Sequence, residues 1–227
     1  MLEGLSSRRL IGTFVKLPAL ESIDLCAASL DFCVVDHEHS QLSEADVLRL
    51  VRHGAALGFP CVVRIPEVDR GLVNRLLEAG AAGIQLSSVR RVAEVRALRD
   101  AALYAPDGKR SISLAHPSAR YGATALRDYV AGVDRPLLVA QLETRETDDP
   151  LDEICAAGAD VVFLGLTDLL VDCGLDDAAA RERAAEIADA TQRAGVTLGG
   201  FGNEERFRYA VVSSDVALLR EGVAGVR

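Results

Sequence analysis

Residues 61–86 read CVVRIPEVDRGLVNRLLEAGAAGIQL. The segment opens on a short β-branched run, 61–65. It passes through a stretch of helical period, 68–79, and reaches Gly80, a helix C-cap signal. It closes on a second mostly apolar run, 83–86. A strand, a helix and a further strand make the unit that builds a parallel sheet. Continuous rather than alternating apolarity in the runs fits strands covered on both faces.

Outward from this segment the rhythm repeats in both directions. Strands are expected at 11–16, 32–36, 61–65, 83–86, 137–142, 161–164, 197–199 and 209–212. Helices are expected at 19–29, 43–57, 68–79, 89–103, 150–157, 178–194 and 215–223, with a short one near 203–208. Gly58, Gly158 and Gly195 repeat the C-cap role of Gly80. Eight strands alternating with eight helices predict a (β/α)8 barrel, one domain over 1–227. An open doubly wound sheet competes, but no G-x-G-x-x-G follows the first strand. The connection 104–124 is the longest and is rich in Lys, Arg, His, Ser and Gly; a loop of that length is usually functional.

Composition narrows the function classes. The 227 residues carry 25 Lys+Arg against 34 Asp+Glu, a net charge of −9. That balance opposes nucleic-acid binding, which calls for a basic stripe, and docking on anionic lipid. A chain of this length buries roughly 70–75% of its extended surface and needs no disulfide or metal to fold. Aromatic residues are 4% and Trp is absent, so the core is aliphatic. The five cysteines, at 26, 33, 61, 155 and 173, contain no C-x-x-C pair, and Cys33, Cys61 and Cys155 read as small core residues. The odd count fits a reducing cytoplasm. The first residues lack the apolar stretch of a signal peptide, and no run approaches a membrane span of about 20 apolar residues.

In a barrel, reactive groups sit at the C-terminal ends of the strands. The run 32–35 ends in Asp36-His37-Glu38-His39, and the run 61–63 in Arg64. The run 137–140 ends in Gln141-Leu142-Glu143, and 161–164 in Gly165-Leu166-Thr167-Asp168. Four strands thus deliver acids, imidazoles and an arginine to one rim. His37 and His39, two apart, face the same way on an extended segment, so zinc is conceivable, as are a catalytic base and a solvated loop. Glu143 and Asp168 suit Mg²⁺ or Mn²⁺, which take oxygen ligands; first-turn helix acids are the plainer alternative. Arg64 at the inner end of a strand must meet an anion, either a structural partner (Asp36 or Glu143) or a developing enolate.

These residues, in this order, resemble the metal-dependent class II pyruvate aldolases of the HpcH/HpaI family. Asp36-His37-Glu38-His39 matches the family's Asp-x-Glu-His, Gln141-Leu142-Glu143-Thr144 its Gln-x-Glu-[Thr/Ser], and Gly165-Leu166-Thr167-Asp168-Leu169 its Gly-x-x-Asp-Leu. Arg64, the stretch 104–110 and Ala119-Arg120-Tyr121-Gly122 match as well. The resemblance implies a divalent metal (Mg²⁺, with Mn²⁺ or Co²⁺ as substitutes) held by Glu143 and Asp168. It implies a 2-oxo acid bound near Gln141, Thr167 and Asp168, Arg64 on the enolate oxygen, and His39, working with Asp36, as the proton-transfer group. It also implies a homo-oligomer, trimer or hexamer, with exchanged C-terminal helices.

The chain departs from the family pattern at several positions. His37 stands where a small residue is usual, Ser87-Ser88 replaces Pro-Met, and Ser111 and Ser113 replace glycines. With Lys109, Arg110, His116 and Arg120 in the same loop, these changes lead us to expect a polar rim that favours anionic acceptors. The expected activity is reversible aldol cleavage of a 2-oxo-4-hydroxy acid to pyruvate and an aldehyde. The rivals are Claisen condensation of oxaloacetate with acetyl-CoA, as in citrate synthases of siderophore pathways, and a non-catalytic barrel subunit.

Overall fold

The computed structural model describes residues 1–226. Eight parallel strands close in sequence order into a barrel. They are β1 (Leu10–Val15), β2 (Phe32–Asp36), β3 (Cys61–Ile65), β4 (Gly83–Leu86), β5 (Leu137–Leu142), β6 (Val161–Leu164), β7 (Thr197–Phe201) and β8 (Tyr209–Ser214). The helices are α1 (Leu2–Ser7), α2 (Leu20–Ala27), α3 (Glu44–Leu57), α4 (Arg70–Ala79), α5 (Val92–Ala102), α6 (Leu126–Gly132), α7 (Leu151–Cys155), α8 (Leu166–Asp172), α9 (Asp177–Arg193) and α10 (Asp215–Ala224).

Local chemistry sets the element ends. Ser43 and Asp46 form a reciprocal capping box at the start of α3, which ends on Gly58 at φ 68°. Asp69 caps α4 through the Leu72 N–H, and Gly80 ends it at φ 108°. A side chain at either glycine would be strained in that left-handed backbone.

Two apolar layers hold the barrel. Phe14, Phe32, Val34, Val62, Val139, Phe163 and Tyr209 fill the interior, and Leu5 of α1 joins them from the N-terminal end. A larger layer, including Ile23, Leu50, Leu76 and Ile187, lies between sheet and helices. Side chains alternate along a strand, so the residues two beyond Val34 and Val62 also point inward. Those residues are Asp36 and Arg64, paired in register across β2 and β3, with Gln85 next to Arg64 on β4. The interior therefore changes from apolar to polar toward the C-terminal mouth.

Five strands start and stop where the sequence predicts; β1 begins one residue earlier, and β7 and β8 run further. The short helix expected near 203–208 does not form, and turns cross that connection. Phe207, fully buried, packs there against Gly200, where a Cβ would strike its ring. One aromatic ring thus covers sheet that a helix covers elsewhere. Helices α1, α6 and α8 were not expected from the sequence. All five cysteines are buried and free. Burial pushes the Cys26 thiol up to about 11, which keeps it inert.

One expectation needs correction. The connection 104–124 joins the end of α5 to α6 and the start of β5, so it lies toward the N-terminal side of the barrel, away from the mouth. Ser111 accepts a hydrogen bond from Asn74 on α4 (2.7 Å), and Ser118 donates to the Glu78 carbonyl (3.0 Å). Within the chain, Ser111, Ser113, Lys109, Arg110, His116 and Arg120 do not line the rim. Among the described residues no helix is long and apolar enough to cross a membrane.

Candidate active site

Asp36 and Arg64 form the centre of the mouth. The carboxylate is fully buried and the arginine only 5% exposed. They meet through two parallel bonds, Nε to Oδ1 at 2.9 Å and Nη2 to Oδ2 at 2.6 Å. Lys16, just past β1, adds its Nζ at 2.8 Å from Asp36 Oδ2. The Arg64 guanidinium also stacks on the Phe14 ring, 4.6 Å from its centroid. Burial works to raise the Asp36 carboxyl, but the hydrogen bonds and charges of Arg64 and Lys16 outweigh it and hold the group well below the ordinary carboxylate range. Asp36 therefore stays ionised.

The same carboxylate shapes the loop after β2. Its Oδ1 accepts the N–H groups of Glu38 and His39, both at 3.2 Å. Lys16 Nζ donates to the His39 carbonyl at 3.1 Å. The His39 side chain is 60% exposed at the rim, and the carboxylate beside its ring is Glu38, 3.8 Å away. Asp36, expected to work with His39 in proton transfer, instead has its oxygens occupied by Arg64, Lys16 and backbone amides. Glu38 is fixed by Ser87 Oγ at 2.7 Å and lies 3.4 Å from Arg64 Nε. His37, one residue from Asp36, takes the outward parity, away from the interior.

Glu143 follows β5 and is 4% exposed. Ser88 donates to its Oε1 twice, from the backbone N–H (2.8 Å) and from Oγ (2.7 Å). Ser88 holds this pose at φ 50°, a left-handed backbone that a serine rarely adopts. The other oxygen, Oε2, accepts from Gln141 Nε2. Gln141 Oε1 in turn accepts from Gln85 Nε2 at 2.6 Å, and the Tyr209 hydroxyl lies 3.5 Å from Gln85 Oε1. A chain of polar groups thus runs up the barrel interior and ends on Glu143. Each link sets the orientation of the amide above it. Gln141, expected to bind substrate, is 2% exposed and commits its amide to this chain.

Burial raises the Glu143 carboxyl, and the charge of Asp168 adds to it; the hydrogen bonds from Gln141 and Ser88 offset only part. Asp168 and Thr167 are exposed in the first turn of α8, whose N-terminus has no side-chain cap. Gly165 precedes that helix, and a Cβ there would strike Glu143 Oε2. Glycine lets the chain pass this close to the carboxylate. Glu38, His39, Ser88, Glu143, Asp168 and Val171 border a cleft of about 440 Å³.

The donor set fits a hard divalent cation. Asp168 is close enough to disfavour the Glu143 charge, and neither forms an ion pair with a cationic side chain among the described residues. No group of three or more His, Cys, Asp or Glu among the described residues could hold a metal. That opposes a closed zinc site built on His37 and His39. It suits Mg²⁺, which binds through one or two carboxylates and keeps the remaining positions for water and substrate oxygens.

Of the residues singled out in the sequence, Asp36, His39, Arg64, Gln141, Glu143 and Asp168 gather at one mouth. Lys16, Gln85 and Tyr209 were missed. Lys16 ends the first strand run with a charge. Gln85 is a lone amide in a run that becomes a buried strand, where it must find partners. Both signals were present in the sequence, without the partners that give them meaning.

A closed parallel barrel that holds an arginine and two carboxylates at its C-terminal mouth is an enzyme scaffold of the (β/α)8 type, equipped to stabilise negative charge on a reacting oxygen. The chain belongs to the HpcH/HpaI aldolase/citrate lyase family, whose profile matches residues 11–206. It is 32% identical to a hydroxypyruvate/pyruvate aldolase of Rhizorhabdus wittichii over 93% of this chain and 90% of the relative. A hydroxypyruvate/pyruvate aldolase of Deinococcus radiodurans is 30% identical over 94% of this chain and 79% of its own length. The solved HpcH/HpaI aldolase of Desulfitobacterium hafniense superposes with a TM-score of 0.88 at 27% identity, covering 99% of this chain and 93% of that one. The fold also matches the citrate synthase SbnG, with a TM-score of 0.86 at 21% identity over 100% of this chain and 95% of that one. The protein is an aldolase, a carbon–carbon lyase.

Two outcomes follow from this geometry. Asp36 titrates lower in the folded than in the unfolded chain. Its stabilising contribution is present above the ordinary carboxylate pKa, about 3.9, and fades as pH falls toward the depressed value. The loss of urea midpoint in Asp36→Asn should therefore be largest near neutrality and shrink below about pH 4. Gln85→Leu should free the Gln141 amide to turn from Glu143. Mn²⁺ affinity, read by calorimetry, should then weaken about tenfold, the scale of lost outer-shell partners.

Proposed function

We propose that the enzyme reversibly cleaves a 4-hydroxy-2-oxo acid to pyruvate and an aldehyde, using a divalent metal (Mg²⁺, with Mn²⁺ or Co²⁺ as substitutes) held by Glu143 and Asp168. The observation that carries this reading is the caged Arg64 guanidinium in one mouth with the buried Glu143 carboxylate and the exposed Asp168 near it. Relatives named hydroxypyruvate/pyruvate aldolase support pyruvate, or its hydroxylated analogue, as the nucleophilic half.

When bound, the metal supplies Lewis acidity toward the 2-oxo acid. In the cleavage direction, His39 takes the proton of the C4 hydroxyl. The C3–C4 bond breaks, its electron pair moves toward the C2 oxygen, and the aldehyde departs. Arg64, immobilised by Asp36 and Phe14, meets the negative charge that develops on that oxygen. C3 then takes up a proton to give pyruvate. The substrate carboxylate is met by the first-turn amides near Thr167 and Asp168, where the helix end favours an anion. Asp36 keeps Arg64 in place and moves no proton. Glu38 orients His39.

We also propose a cytoplasmic homo-oligomer, trimer or hexamer. Helix α10 supports assembly: it has no buried residue, and Leu218, Leu219 and Val223 are exposed along it.

Pyruvate release from a 4-hydroxy-2-oxo acid tests the activity. Excess EDTA should abolish it and Mg²⁺ or Mn²⁺ restore it, while Glu143→Ala and Asp168→Ala should be inactive but folded. Arg64→Lys should lose on the order of 10²-fold in kcat, because an ammonium cannot reproduce the planar fork. His39→Ala should lose cleavage and keep pyruvate binding. Full turnover in EDTA, or release of CoA from acetyl-CoA and oxaloacetate in place of pyruvate release, would overturn the reading.

A further inference from the structure

A second polar cluster lies far from the mouth, in the connection between α5 and β5. Arg110 is 8% exposed. Its guanidinium stacks on the Tyr104 ring, 4.7 Å from the centroid. Among the described residues its buried Nε and Nη2 have no hydrogen-bond partner. Among the described residues the Arg110 side chain forms no ion pair. Arg64, the other arginine buried to this degree among the described residues, has two carboxylates.

The surroundings of Arg110 share the deficit. Tyr104 packs edge-on against Tyr129 (6.4 Å), and Tyr129 against His116 (5.4 Å), so the four side chains form one stack. Among the described residues the buried side-chain polar atoms without a partner include Arg110 Nε and Nη2 and His116 Nδ1, all in this stack, while the Tyr104 hydroxyl has that of Tyr129 as its neighbour. His116 Nε2 is occupied by the Ser113 carbonyl at 2.8 Å. Buried polar groups in native proteins are almost all satisfied, and a buried charge without a counter-charge is costly. Two orphaned donors on one buried cation point to a missing anion.

There is room for one. Arg110 and Tyr129 line a cavity of about 740 Å³, together with Arg120, Thr124, Asp128 and Asp134. Its walls include Pro60, Ala82 and Pro136, the residues leading into β3, β4 and β5, so it opens on the N-terminal side of the barrel, opposite the mouth. Arg120 adds a second cation at the cavity. Asp128 and Asp134 oppose a large polyanion and limit the ligand to a small one. Arginine's planar fork matches a carboxylate or phosphate group, and the Tyr129 hydroxyl supplies a further donor.

We propose that this cavity is a binding site for a small oxyanion, a carboxylate or a phosphate group, held by the Arg110 guanidinium with the hydroxyl of Tyr129. The bound anion would satisfy the buried charge and fasten the 104–136 connection to the barrel. The site stands independently of the aldolase reading and uses none of its residues.

Inorganic phosphate and acetate are the probes, each titrated into metal-free enzyme by calorimetry and by thermal melting against chloride at equal ionic strength. At least one should bind saturably, one per chain, and raise Tm with concentration as linkage requires. Arg110→Met keeps the aliphatic stem on Tyr104 and removes the charge. It should abolish the Tm rise, and in anion-free buffer it should melt no lower than the wild type, because the unpaired charge is then only a cost. Tyr129→Phe, which keeps the ring, should weaken the binding several-fold and guards against a misfolded Arg110 variant. No saturable binding of either probe would overturn the proposal, as would a Tm rise that survives in both variants.

Discussion

A guanidinium buried in the throat of a barrel dictates much of what surrounds it. Left alone, the Arg64 charge would oppose folding by several kcal/mol. Here it meets Asp36 through two bonds and lies on the Phe14 ring. Asp36 then needs further donors for its own lone pairs, and takes them from Lys16 and from the amides of the following loop. The path of residues 36–40, and with it the placement of His39 at the rim, follows from satisfying one ion pair. Rigidity of this kind is what oxyanion stabilisation requires, because a donor that must reorganise as charge develops loses much of its advantage.

The mouth holds carboxylates in opposite electrostatic situations. Asp36 is buried among cations and pushed down; Glu143 is buried among neutral donors and near another acid, and pushed up. The first is a permanent anion that orients a cation. The second is desolvated and short of positive charge, the environment in which an added cation gains most. Two acids at strand ends thus acquire different roles from their neighbours alone. The polar chain from Tyr209 through Gln85 and Gln141 fixes the direction in which Glu143 points, and it begins deep in the otherwise apolar interior.

A similar principle separates the two ends of the barrel. At the mouth the buried Arg64 charge has found its counter-charge within the chain. On the opposite side, Arg110 has not. The αβ connections of such barrels usually serve stability, and the long 104–136 segment departs from that pattern by carrying a stack of aromatic rings with unsatisfied polar edges.

Reading the sequence was enough to define the strands, because a buried parallel strand leaves an apolar run that glycine caps punctuate, and both signals are local. It also located Asp36, Arg64, Glu143 and Asp168 at strand ends, since polarity must appear where an apolar run meets the mouth. Locality set the limit. The helix expected near 203–208 is replaced by Phe207 packing on Gly200; the two are close in the chain, but the pattern of residue types does not show that the ring folds back onto the strand. The loop 104–124 carried the composition of a binding segment, but composition has no direction; its place at the N-terminal side comes from which elements it joins. The partners of Asp36, the link from Gln85 to Gln141 and the isolation of Arg110 exist only once eight strands close and bring residues as far apart as 85 and 209 to one axis. Which residues are polar or apolar is written locally; which of them meet, and which are left without a partner, is decided by the closure of the barrel.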